Sequence, residues 1–246
     1  MHIHMNFKSN KAFSFAELSI ILLIVGSFFT IVFASKSILE QAENRNIINN
    51  IYNYEIVIDQ FYEKFTKYPG DFNQAYNFFS TDCAASADYC NGDGDGFIES
   101  SASSDYEREN LRIWQHLNLA ELLAGNYGGT GGNANLSNSP LGEFDNSIYY
   151  IDNSAIFSDI NNKILLSSVI DTIEYKGVIS VLSAKSIDSK IDDSIANKGR
   201  IYAVTGDNLS NSSDCSAYRT SLNGADYNLS STEKQACVIS YLFDKD

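Results

Sequence analysis

Three kinds of hydrophobic pattern follow one another along the chain. Residues 13–34 are apolar apart from Glu17 and a few hydroxyls. A helix of about 22 residues, rising ~1.5 Å each, is long enough to cross a ~30 Å hydrocarbon layer. Beyond Lys36 the pattern becomes amphipathic: Ile47, Ile51, Tyr54, Ile58, Phe61 and Phe65 recur at helical spacing on an otherwise polar background. No Pro precedes Pro69, and Gly26 is the only Gly between Phe13 and Gly70, so one helix can run through both segments. The apolar stripe covers less than three heptads and is rich in aromatics, which favours docking on a sheet over a two-helix coiled coil. After Pro140 the period shortens. Residues 147–151, 164–170, 173–182, 200–204 and 238–243 read as strands, with helix an open alternative for 173–182, and 183–195 read as a short helix with Ile187, Ile191 and Ile195 on one side.

Between these regions, Tyr68-Pro69-Gly70-Asp71 ends the long helix and opens a loop-rich stretch. Ser104-Asp105-Tyr106-Glu107 has the pattern of a capping box, and Leu111, Trp114, Leu117 and Ala120 mark the apolar face of the helix after it. Trp114 reads as core, and His116 as a satisfied partner, not a catalyst. The turn-rich run 125–132 follows that helix instead of opening one, so it is a poor phosphate cradle.

Charge narrows the function. The 246 residues hold 31 acids and 17 bases, a formal net charge of −14, which disfavours nucleic acid as a partner. Of three His, two lie at positions 2 and 4, leaving little material for a His-dependent active site. No nucleophile elbow or phosphate-binding motif is present, so an enzyme is not expected. Lys8 and Lys11 make the first twelve residues basic, and the acid-rich remainder is expected outside the cytoplasm. A clean signal-peptide cut is lacking at the far end of the apolar run, where 33–35 comes nearest.

Four Cys in such a compartment form two disulfides, with three pairings open. Sequence neighbours are the simplest choice, Cys83 with Cys90 and Cys215 with Cys237. Zinc would need tighter pairs, which are absent. Eight acids and one base, Arg108, fall between Asp82 and Glu109. Within this stretch, 91–99 approximates the opening of a calcium loop: Asn91, Asp93, Asp95 and Glu99 are the candidate calcium ligands, and Gly96 allows the sharp turn. Asn91 replaces the usual first Asp, and Ala102 stands where a bidentate Glu is expected. Glu99, Glu107 or Glu109 must then complete the shell. The competing reading is a solvated Asp/Gly turn clipped by Cys83 and Cys90.

The run Lys11-Ala12-Phe13-Ser14-Phe15-Ala16-Glu17-Leu18 and the apolar residues after it resemble the class III signal and first helix of type IV pilins and type II secretion pseudopilins. The resemblance implies cleavage by prepilin peptidase between Ala12 and Phe13, methylation of the new Phe13 amine, and an assembly role for Glu17, whose carboxylate neutralises that amine on a neighbouring subunit. Ala12 departs from the Gly usual before the cut, so slower processing is expected. Later stretches also look like landmarks of larger prepilin-type proteins: Pro69-Gly70-Asp71, residues 91–98, Trp114-Gln115-His116-Leu117 with residues 120–127, residues 187–193 with Gly199, and Tyr227-Asn228 before Cys237. Ser194 departs from the Gly usual in that group. Pilin heads commonly have a C-terminal disulfide-bounded region, which the 215–237 pair matches.

The expected fold class is α+β, a pilin-like lollipop. A long N-terminal helix, membrane half plus amphipathic half, packs on a mainly antiparallel sheet head with loop-rich, disulfide-bounded regions. The expected organisation is a leader over 1–12, a transmembrane and assembly half over 13–34, an amphipathic half over 35–68 and a periplasmic or extracellular head over 69–246. The implied function is a structural subunit of a pilus or pseudopilus. Its partners are prepilin peptidase, other subunits, the inner membrane and an inner-membrane assembly platform. The alternative is an unpolymerised, membrane-anchored periplasmic module that binds calcium or another ligand.

Overall fold

A computed structural model of the chain describes residues 14–99, 108–130, 133–153, 161–170, 173–211, 213–216 and 226–243. The chain divides into two compact units, residues 1–42 and 43–246. Helix α1 (Phe15–Phe65) begins in the first and ends in the second. The predicted capping box at 104–107, and the positions Ala12 and Phe13, lie outside the described residues.

In the first unit every described side chain from 14 to 42 is exposed, including Leu22, Leu23, Phe28 and Phe29. This is the one helix among the described residues that is long and apolar enough to cross a membrane. An apolar surface of that extent is not left in water by soluble monomers.

In the second unit the amphipathic stripe is buried as its spacing predicts. Ile47, Ile58 and Phe61 are fully covered and Ile51 and Tyr54 nearly so. Tyr54 meets Trp114 and Tyr149 edge-on, with ring centroids 5.2 Å and 5.1 Å apart. The remaining helices are α2 (Ala75–Phe79), α3 (Glu109–Leu119) and α4 (Val181–Ile191), with two single 3₁₀ turns at Ser80–Asp82 and Ala87–Tyr89.

Strands β1 (Ser147–Asp152), β2 (Lys163–Ile170), β3 (Ile173–Lys176), β4 (Asn197–Lys198), β5 (Ile201–Thr205) and β6 (Cys237–Leu242) form one antiparallel sheet. Its order is β1-β2-β6-β5-β4, with β3 also paired to β2. Alternation along β1, β5 and β6 sends Tyr149, Ile151, Ile201, Ala203, Ile239 and Tyr241 into the core that contains the α1 stripe. Ile148, Tyr150, Tyr202, Val204 and Val238 enter a second, smaller core on the other side, with Leu111 of α3. Both predicted disulfides are present, Cys83–Cys90 and Cys215–Cys237. The second joins the start of β6 to the loop before it.

The structure corrects the reading of 173–182 as one strand. Pairing with β2 stops at Lys176; the Gly177 N–H turns to Asn208 Oδ1 and the Val178 N–H to the Cys237 carbonyl. Ser180 then caps α4 by accepting the Ser183 N–H at 3.1 Å. The helix placed at 183–195 accordingly starts at Val181 and ends at Ile191, leaving Ile195 outside it. The two-residue strand β4 has too little pattern to be read from sequence.

Two carboxylates, Glu55 buried and Glu143 half-buried, tie α1 to the sheet region. Glu143 accepts from Asn50 Nδ2 at 2.7 Å and from the Tyr149 hydroxyl. Glu55 accepts from Arg200 at 2.5 Å and from the Tyr241 hydroxyl at 2.6 Å, while the Arg200 guanidinium lies over the Tyr241 ring. Removing Glu55 strands a buried hydroxyl and a partly buried cation, a loss on the order of 2–3 kcal/mol. Urea unfolding of the detergent-solubilised chain, followed by Trp114 fluorescence, should show Glu55→Leu less stable by that amount and Tyr241→Phe by about 1 kcal/mol. Equal midpoints for Glu55→Leu and wild type would contradict the tie.

Candidate functional site

Helix α3 is buried on more than its apolar side. Leu111, Trp114 and Leu117 are fully covered as expected, yet Glu109, Arg112, Gln115 and His116 are covered too. These four point their polar groups at the loop between α1 and α3. Arg112 donates to the carbonyls of Asn91 and Asp88, and Gln115 Nε2 donates to the Cys83 carbonyl at 2.6 Å. His116 accepts the Gly70 N–H on Nδ1 at 3.0 Å, and its Nε2 lies 2.9 Å from the Cys90 carbonyl, which fixes Nε2 as the protonated nitrogen. The spacing of Glu109, Arg112 and His116 by three and four residues is the sequence signal of one polar stripe along this helix.

The loop itself is knitted to the turn after α1. Asp71, fully buried, accepts the Gly94 N–H at 2.6 Å and the Gly96 N–H at 3.0 Å, and the Gly92 N–H reaches the Phe72 carbonyl. A Cβ on Gly92 would sit 2.3 Å from the Gly70 carbonyl oxygen, so the two strands of chain approach this closely only with glycine there. Gly96 has φ +100°, the turn expected of it. Asp93 and Asp95 each accept an N–H two residues on, the Asx-turn pattern. Asn162 pins the far side, accepting the Ile98 N–H and donating to the Gly96 carbonyl.

Carboxylates converge here. Asp71, Asp93 and Asp95 each offer an oxygen within 4.8 Å of the others, and so do Asp93, Glu99 and Glu109. Of the four ligands read from sequence, Asp93, Asp95 and Glu99 thus take part. Asn91 stands apart, with its Oδ1 accepting the Tyr76 N–H in the first turn of α2 at 2.8 Å. Asp71 and Glu109 join from outside the loop. Burial raises the Asp71 carboxyl to about 6, against the pull of the Gly96 and Gly94 amides and of Lys67. Burial, then Glu99, hold Glu109 far above the usual carboxylate range, with the Asp93 amide opposing.

Cys83, Cys90 and His116 also lie together, but the two sulfurs are joined to each other and do not serve a metal. In the first unit, Ser14 and Glu17 form a capping box at the start of α1: the Ser14 N–H donates to Glu17 Oε2 at 2.8 Å and the Ala16 N–H to Ser14 Oγ at 3.2 Å. The S-x-x-E spacing announces this in the sequence.

Burial lowers the His116 pKa from 6.5 to about 4, aided by the nearby Arg112 charge and opposed by the Cys90 carbonyl. Below pH 6.5 the unfolded chain takes up a proton that the folded chain refuses until about pH 4, so stability falls as pH falls through this window. Unfolding measured at pH 7 and pH 4 should show wild type losing about 3 kcal/mol more than His116→Gln, a comparison that cancels carboxylates common to both. Parallel pH profiles would contradict a neutral buried imidazole.

Comparison of the chain with protein-family models, with curated proteins and with solved structures finds no match.

Proposed function

We propose that the chain is a pilin-like structural subunit of a type IV pilus or related pseudopilus. It is held in the inner membrane by residues 13–34 with 43–246 on the periplasmic side, then polymerised through that apolar segment. The observation that carries this reading is the exposure of the described apolar side chains in the first half of α1, with an acid in its first turn. Such a surface calls for lipid or for copies of itself. Cleavage by prepilin peptidase between Ala12 and Phe13 leaves Ser14 and Glu17 in the mature chain, so the capping box survives processing.

Capping settles part of Glu17's need. One oxygen receives the Ser14 N–H, but a full negative charge in an apolar bundle still costs a few kcal/mol unless a cation meets it. The methylated amine of Phe13 on an adjacent subunit is that cation in this reading. Delivery to the assembly platform and growth of the filament then depend on a charge pair and on helix packing, with no catalysis. The cluster of carboxylates at Asp93 also favours a second reading, a membrane-anchored cation-binding module that never polymerises.

Mass spectrometry of the N-terminus separates the two: a chain that begins with N-methylated Phe13 supports the subunit, and one that retains Met1 supports the anchor. Glu17→Gln keeps an acceptor for the Ser14 N–H and removes the charge, whereas Glu17→Ala removes both. Both variants should insert normally and lower filament yield about tenfold or more, as loss of ~1.4 kcal/mol per contact predicts. Full assembly by Glu17→Gln would leave the cap, and not the charge pair, as the role of this residue.

A further inference from the structure

We draw no further inference here: the strongest candidate, the open groove that Asn46, Asn49 and Asn50 of α1 form with Leu141, Gly142 and Glu143, carries nothing because nothing in the structure shows what covers it.

Discussion

A neutral imidazole is the interaction on which the second unit is organised. His116 can bond the Gly70 N–H and the Cys90 carbonyl together because a neutral ring offers one acceptor and one donor; a charged ring offers two donors and would lose the first contact. Through that pair of bonds α3 holds both the turn that ends α1 and the end of the disulfide-closed loop. Phe61 of α1 stacks on the same ring, with planes 11° apart. Burial and chemistry thus reinforce each other: the apolar cover keeps the ring neutral, and the neutral ring lets backbone groups be buried without water.

From that knot the rest of α3 acts as a comb of polar teeth. Arg112 and Gln115 satisfy carbonyls in the disulfide loop, and Glu109 satisfies an amide in the loop beyond it. Loops as long as this one ordinarily leave many backbone groups to solvent. Here Asp71, Asn162 and α3 take them up, so a glycine-rich acidic loop is held closely enough for its carboxylates to face one another. The acidic convergence is a consequence of how the backbone is satisfied.

What could be read from sequence was local. The α1 stripe from Ile47 to Phe61, most of the strands, and both Cys pairs depend on spacing or adjacency within one stretch of chain, and the structure contains them. The 173–182 run divides between the strand and helix readings it allowed, because Ile, Val and Leu suit a strand and a buried helix start equally, and the deciding residue is the cap, Ser180. The carboxylate group was only half legible. Asp93, Asp95 and Glu99 belong to one loop and Glu109 was among the residues expected to complete the group, but Asp71 arrives from a separate element, and nothing in local spacing says that Asn91 will accept from the first turn of α2. Glu17 shows a further difficulty: a residue with one persuasive role conceals a second, since the spacing that caps α1 was present beside Ser14 all along.

Three glutamates in apolar or buried settings show how far protein donors alone can carry a carboxylate. Glu55 is complete, with a guanidinium on one oxygen and a hydroxyl on the other. Glu109 has one backbone N–H on one oxygen and the carboxyl group of Glu99 as its other partner. Glu17 has one backbone N–H at a helix start, where the helix dipole helps it, but no cation. A single neutral donor offsets only part of the cost of taking an ion out of water, whereas an opposite charge with good geometry can offset most of it. Glu55 therefore serves as a structural tie, and Glu109 is held toward its neutral form by burial and by Glu99. Glu17 alone remains receptive to a positive charge from outside its own chain, which in the proposed reading is the Phe13 amine of a neighbouring subunit.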